Sequence, residues 1–403
     1  MERIVGLFYI VGWLLLSLPV AASAEQGADG NPYPIVLVHG FTGWGPEEIP
    51  GYNYWGGRTS IAAALNEAGY PTHVGVVGPV SSNWDRACEL YAYIKGGTVD
   101  YGAAHAKRYN HARFGRTFPG LLTNWGEPGA NQRIHLVGHS QGGQTIRVLA
   151  SLLAYGDRGE RNSGEKASPL FLGNKPWVHS IATLNAPHDG TTLAVMLSEE
   201  SAFLMQAVLA MADYLTRRYP VVGSYDFKLE QWGVEQRPGE TDKQYRKRLQ
   251  ESPIWEQNDI SVWDLMPEGA IELNSRYPAV DWVYYFSWAG DATFRGPFSH
   301  GRMPDARMNP ALVIPSFYIG SFEDPDPGYV ESTGGRRMDF ERYENHQGGA
   351  GDDTVIMLDG QYYRGYIDLD GGNDTIDYSD YTSGIRVNLE EGWGTAAYRG
   401  FPN

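Results

Sequence analysis

The pentapeptide Gly138-His139-Ser140-Gln141-Gly142 constrains this chain more than any other feature. An apolar β-rich run, Arg133-Ile134-His135-Leu136-Val137, leads into it, and Gln144 to Leu153 behind it has helical character. A G-x-S-x-G stretch in that setting predicts a sharp strand-to-helix turn, in which small residues let backbone pass close to backbone and a strained serine presents its hydroxyl. Ser140 is therefore the candidate nucleophile. Other segments agree with such a turn. Pro34 to Gly40 reads as a buried parallel strand ending in a loop, Ile61 to Ala68 as helix, and Thr72 to Val77, Val178 to Leu184 and Tyr284 to Trp288 as further strands. Strands alternating with helices predict an α/β protein with a mostly parallel sheet covered on both faces.

An activated serine needs donors aimed at the oxygen that becomes negative when a carbonyl is attacked. The loop after the first strand, His39-Gly40-Phe41-Thr42-Gly43, is placed to supply one. The backbone N–H groups of Phe41 and Gln141 form the natural pair. Alone, His39-Gly40 reads equally well as a tight loop.

The first residues set the expected compartment. Arg3 gives a basic start, Ile4 to Leu18 is apolar, and Ala21-Ala22-Ser23-Ala24 is a small-residue exit. These are the parts of a secretory signal peptide spanning residues 1–24, and no later stretch is long and apolar enough to span a bilayer. A soluble, exported protein is expected. The formal charge of −16 argues against nucleic-acid binding, which needs basic patches. From Glu323 onward 17 acidic residues stand against 6 basic ones, so most of the negative charge lies in a tail better suited to cations than to anionic surfaces. Cys88 is the single cysteine and excludes an internal disulfide. After Ser321 the texture turns to Asp, Gly, Asn and Tyr, which predicts one large domain over 25–332 and a β-rich appendix over 333–403.

Longer blocks sharpen this picture. Ile35 to Gly45 (IVLVHGFTGWG), Tyr54-Trp55-Gly56-Gly57, Gly78 to Glu89, Gly96 to Ala104, His111 to Gly120, His139 to Thr145, Ala186 to Leu193 and Tyr225 to Gly233 together resemble the staphylococcal-type, thermoalkalophilic zinc lipases of bacteria. The resemblance covers roughly Pro34 to Ser321. It implies an α/β-hydrolase fold, a secreted triacylglycerol lipase or carboxylesterase, a lipid ester at an oil–water interface as substrate, Ser140 as nucleophile, and Phe41 and Gln141 as oxyanion donors. It also implies that the apolar stretch Leu193 to Leu215 is a lid, where spacing alone would favour a core helix. His105 and His111 with Asp85 upstream would by themselves read more readily as solvated loop side chains. In the family, Asp85, His105, His111 and Asp259 match the ligands of a structural zinc ion, with four protein groups closing the shell. His188 and Asp189 are supporting residues there, and Cys88 reads as buried packing.

The C-terminal end departs from the family. A serine hydrolase of this fold needs a carboxylate and then a histidine after the serine in chain order. Thr333 stands where the family has its aspartate, and the segment carrying its histidine has no counterpart. His300 and His346 are the late histidines, and neither sits in a family motif. Gly348 to Ile356 instead fits the G-G-x-G-x-D-x-U-x calcium repeat, and Asp370 to Asp377 is a partial second copy. That makes Asp353 and Asp374 candidate calcium ligands in an RTX-like tail, with an acidic disordered tail the alternative. Two functions follow: a lipase working through a Ser140 acyl-enzyme, or a catalytically impaired hydrolase fold that binds lipid or calcium.

Overall fold

The computed structural model describes residues 33–46, 48, 49, 51–129, 132–191, 193, 194, 226–288, 293–295, 302–304, 306, 308 and four short strands further along the chain. The expected signal segment, nearly all of the expected lid, Thr333, His300, His346, Asp353 and Asp374 lie outside the described residues.

Five strands form one sheet in the order β2-β1-β5-β6-β7. They are β1 (Ile35–Val38), β2 (Thr72–Gly75), β5 (Ile134–His139), β6 (Val178–Leu184) and β7 (Tyr284–Trp288), and every pairing is parallel. This is the expected α/β-hydrolase sheet. The helix Ile61–Glu67, N-capped by the Ser60 hydroxyl, carries the chain from β1 to β2 on one side. The chain then returns across β1 to lay down β5, so the direction of winding reverses between β1 and β5. Open α/β sheets bind ligands at the carboxyl ends of strands beside such a reversal, where the loops diverge and leave a crevice. The loop beginning His39-Gly40-Phe41 and the turn at Ser140 both lie there.

β5 is central because its inward residues Ile134 and Leu136 are fully buried. The helix Gln141–Tyr155 follows directly and buries residues from Gln141 through Ala154. It packs on the helix Asn83–Lys95, whose N-terminus is capped by Ser82 accepting from Asp85 N–H. Between them sits Arg86, fully buried. Its guanidinium donates to Thr145 Oγ1 at 2.8 Å, to the Gly78 carbonyl at 2.6 Å and to the His39 carbonyl. A buried cation is tolerated only when its donors are satisfied, and here it cross-links three segments of the crevice floor.

Two features were not expected. An antiparallel ribbon pairs β3 (Gly97–Asp100) with β4 (Phe114–Phe118), and a polar helix, Asp242–Gln250, opens with a Thr241–Gln244 capping box. In the tail, β10 (Thr354–Ile356) and β11 (Thr375–Asp377) pair in parallel, Thr354 opposite Thr375, and β12 (Val387–Leu389) pairs antiparallel with β13 (Ala396–Tyr398). β8 (Thr293–Arg295) and β9 (Arg302–Pro304) form a further antiparallel pair.

Candidate active site and metal centre

Ser140 has φ 55 and ψ −133, a left-handed conformation that costs a residue with a side chain on the order of 1–3 kcal/mol. The surrounding glycines show what enforces it. A Cβ on Gly142 would lie 2.4 Å from the Val38 carbonyl oxygen, and one on Gly138 2.5 Å from the Gly142 backbone. A Cβ on Gly40 would lie 2.7 Å from Ser140 Cβ and 3.1 Å from its Oγ. The β1 loop and the serine turn thus touch through bare backbone, which brings the Phe41 loop against the Ser140 hydroxyl. Gln141 N–H is the first of its helix and Phe41 N–H follows the contact residue. Neither meets an acceptor among the described residues, so both are available to an anion at a helix N-terminus. The Gln141 side chain is buried and fixed, accepting from Ser261 Oγ at 3.0 Å and donating to the Ser81 carbonyl at 3.2 Å.

Around this turn lies a buried polar framework. Asn83 Nδ2 donates to Gln144 Oε1 at 3.2 Å, and the Asn83 backbone N–H donates to the Asp264 carboxylate. Burial raises the Asp264 carboxyl to about 8. Because that value lies above its unfolded one of about 4, ionising it opposes folding. The penalty is absent below about pH 4, grows as pH rises, and levels off above about pH 8. Asp264→Asn keeps an oxygen for Asn83 and removes the charge. Its stability advantage over the native chain should widen across that window, reaching on the order of 5 kcal/mol in denaturant melts at pH 8. An advantage that stays constant with pH would contradict this.

Eight of the ten histidines are described, and none hydrogen-bonds Ser140 Oγ. His39 is buried, its Nδ1–H donating to the Gly40 carbonyl at 2.9 Å, and burial holds its pKa well below the ordinary value. His188 Nδ1 receives Arg147 Nη1–H at 3.0 Å and its Nε2 faces Thr183 Oγ1 at 3.3 Å. Asp189 accepts from Asn274 Nδ2 at 3.0 Å. His135 pairs with Ser180 Oγ at 2.7 Å and His139 with Tyr54. Partial burial lowers the pKa of His73 and of His179, with Arg133 adding to the effect at His179.

The remaining two histidines belong to a second cluster. Ligand atoms of Asp85, His105, His111 and Asp259 all lie within 4.8 Å of one another, an arrangement that could hold a metal ion. Four separate elements deliver them. Asp85 is in the first turn of Asn83–Lys95, and His105 is in the helix Ala103–Tyr109, whose N-terminal amides bind the Glu160 carboxylate. His111 follows Asn110, whose left-handed φ of 58 ends that helix, and Asp259 precedes the bridge from Ile260 to Ser81.

The donor set fits a cation. His105 Nε2 is 3.0 Å from Asp259 Oδ2 and 3.3 Å from Asp85 Oδ1, and His111 Nε2 is 3.2 Å from Asp259 Oδ2. Yet Asp85 Oδ1 and His111 Nε2 are buried without a hydrogen-bond partner. His111 Nδ1–H donates to the Ala112 carbonyl at 2.8 Å, which leaves the Nε2 lone pair facing the cluster. Gln231 Nε2 holds the outer oxygen of Asp85 at 2.9 Å, and Trp84 stacks on His105 at 4.9 Å. With no ion, burial and the neighbouring Asp259 raise the Asp85 carboxyl, and the two carboxylates overcome burial to raise His105 to about 9. Two buried carboxylates and two inward lone pairs are what a divalent ion neutralises.

Comparison with known proteins shows the family and the fold. The family model for the lipase-like, C-terminal domain matches residues 31–327. Lipase 1 of Staphylococcus aureus is 41% identical over 305 residues, 74% of this chain and 44% of that one. The lipase of Staphylococcus epidermidis is 42% identical over 281 residues, 68% of this chain and 40% of its own. The chain thus spans less than half the length of these relatives. Among solved structures, EstA from Clostridium botulinum superposes with a TM-score of 0.72 at 36% identity, covering 94% of this chain and 91% of that one. Lipase 1 from Pelosinus fermentans gives 0.65 at 40% identity with coverage of 87% and 93%. Staphylococcus hyicus lipase gives 0.64 at 30% identity with 90% of each chain covered.

Proposed function

This chain belongs to the lipase-like, C-terminal domain family, and from that premise we propose that it is a secreted lipase or carboxylesterase that cleaves lipid esters through an acyl-enzyme on Ser140. The observation that carries the proposal is the contact between the β1 loop and the strained Ser140 turn, where the Phe41 and Gln141 N–H groups meet no acceptor among the described residues. In the first step Ser140 Oγ attacks the ester carbonyl carbon while its proton passes to a base. The negative oxygen of the tetrahedral intermediate then lies against Phe41 and Gln141 N–H. Collapse expels the alcohol, which recovers the proton, and water releases the fatty acid in a second round. None of the eight described histidines hydrogen-bonds Ser140 Oγ, and the family's histidine segment has no counterpart here, so His300 and His346 are our candidates for the base. Fatty acid release from emulsified tributyrin, followed by titration at constant pH, tests the proposal. Turnover should be abolished by one of His300→Ala and His346→Ala and kept by the other. Background-level release by the folded native chain would favour an impaired hydrolase fold instead.

Asp85, His105, His111 and Asp259 would hold zinc, whose ligand preference for imidazole nitrogen and carboxylate oxygen they match. With four protein ligands the shell is closed, so the ion's part is structural. It would pin the β3–β4 segment and the loop that leads into Ile260 onto the core. For the tail, calcium binding by Asp353 and Asp374 is supported by the parallel pairing of the strands that follow them. Export is supported by the basic, apolar and small-residue order of the first 24 residues. No helix among the described residues is long and apolar enough to cross a membrane.

A further inference from the structure

We propose that Tyr54 is a positioning residue for ester hydrolysis, its hydroxyl fastening the oxyanion loop to the strand end that carries the nucleophile. The Tyr54 hydroxyl oxygen accepts the Gly40 backbone N–H at 3.0 Å and lies 2.6 Å from His139 Nδ1. Gly40 immediately precedes Phe41, and His139 immediately precedes Ser140. One oxygen atom therefore bridges the residue before one proposed oxyanion donor and the residue before the nucleophile. The proposal rests on the reading of Ser140, Phe41 and Gln141 given above, and adds what sets the distance between them.

The direction of each bond follows from the chemistry. A hydroxyl that accepts from Gly40 has one proton left, and the atom at 2.6 Å is His139 Nδ1. Burial raises the Tyr54 phenol to about 12 and lowers the His139 pKa, so the donor keeps its proton and the imidazole is a neutral acceptor. The ring has no room to wander. It meets Trp44 edge-on at 5.3 Å and Trp55 at 5.8 Å, and the His39 and His139 rings each lie 5.7 Å away. Its backbone sits in a closed turn, in which Asn53 N–H donates to the Gly57 carbonyl at 2.7 Å and Gly57 N–H to Asn53 at 3.0 Å. Arg86 holds the opposite side of the loop through the His39 carbonyl. The oxyanion loop is thus gripped at consecutive residues, by Arg86 at His39 and by Tyr54 at Gly40. Each grip leads to the serine-bearing segment, one through Thr145 and one through His139.

Tyr54→Phe in the full chain tests this, because it removes the hydroxyl and leaves the ring packing. With p-nitrophenyl butyrate, kcat should fall by about 10- to 100-fold while KM stays within about twofold, since displacing a transition-state donor by a fraction of an ångström acts on the chemical step. Affinity for an alkyl trifluoromethyl ketone, whose hemiketal oxyanion would occupy the same pocket, should fall with kcat. A packing role would change neither. Unchanged kcat and ketone affinity in Tyr54→Phe, beside an active native chain, would overturn the Tyr54 proposal alone. A native chain with no turnover and no ketone binding sensitive to Ser140→Ala would overturn the underlying reading with it. If Tyr54→Phe does not fold, His139→Ala removes the other end of the same relay. It should show the same kcat-selective loss, and an unaltered kcat there would count against the proposal.

Discussion

Replacing Ser140 by alanine should abolish ester hydrolysis, lowering kcat by about 10⁴-fold or more, while leaving the melting temperature unchanged. The chemical half of that expectation follows from role: without Oγ no acyl-enzyme can form, and only binding and the backbone N–H pair remain. The stability half follows from contacts. Ser140 is anchored through its backbone, its N–H donating to the Leu184 carbonyl at 3.0 Å and its carbonyl accepting from Gly143 N–H at 2.9 Å, and alanine keeps both. Alanine also inherits the strain of φ 55. Glycine does not, so Ser140→Gly should be as inactive but more stable by about 1 kcal/mol in thermal or urea melts. A stability gain on loss of the working residue is the signature of a site whose geometry is held against backbone preference. Equal melting of the alanine and glycine variants would mean that the turn is unstrained.

On the proposed zinc assignment, chelation should have the largest destabilising effect. Four ligands from separate elements converge on one point, and without an ion the two buried carboxylates rely on the histidines for compensation. An ion present at about 1,000 times its dissociation constant contributes about 4 kcal/mol to the folded state. For a domain of this size that corresponds to a drop of about 10 °C in melting temperature on chelation. His111→Ala should reproduce the drop, because the Ala112 carbonyl orients its imidazole with the Nε2 lone pair toward the cluster and alanine removes that ligand. Elemental analysis should find one zinc per native chain and much less in the variant. Full zinc stoichiometry in His111→Ala would exclude the cluster as its binding site. Calcium or magnesium restoring the chelated protein as well as zinc would exclude the ion assignment while keeping the site.

Much of the fold was legible because sheet and turn are local. The run from Ile35 to Val38 and the strand into Gly138 announce themselves by apolar composition, and the glycines of the serine turn by spacing. Boundaries moved by a few residues: the helix after Ser140 begins at Gln141, where the orphan N–H groups matter, and not at Gln144. The metal cluster was a different case. Asp85 and Asp259 lie far apart in the chain, and nothing in their flanking residues marks them as partners, so only the family likeness brought them together in advance. The Tyr54–His139 bond links residues 85 positions apart and was invisible for the same reason, although both residues stood in blocks already singled out. Arg86 was missed because arginine reads as surface until the fold supplies carbonyls to satisfy it. Side chains whose meaning depends on long-range closure are the ones a linear reading does not find.

The most direct measurement is reaction of the folded native chain with a fluorophosphonate ester, followed by peptide mapping. One phosphonyl group per chain is expected, carried by Ser140 in the tryptic peptide Ile134–Arg147, at a rate far above that of unfolded protein. A folded chain that stays unlabelled, or carries the group on another serine, would contradict the assignment of Ser140 as an activated nucleophile.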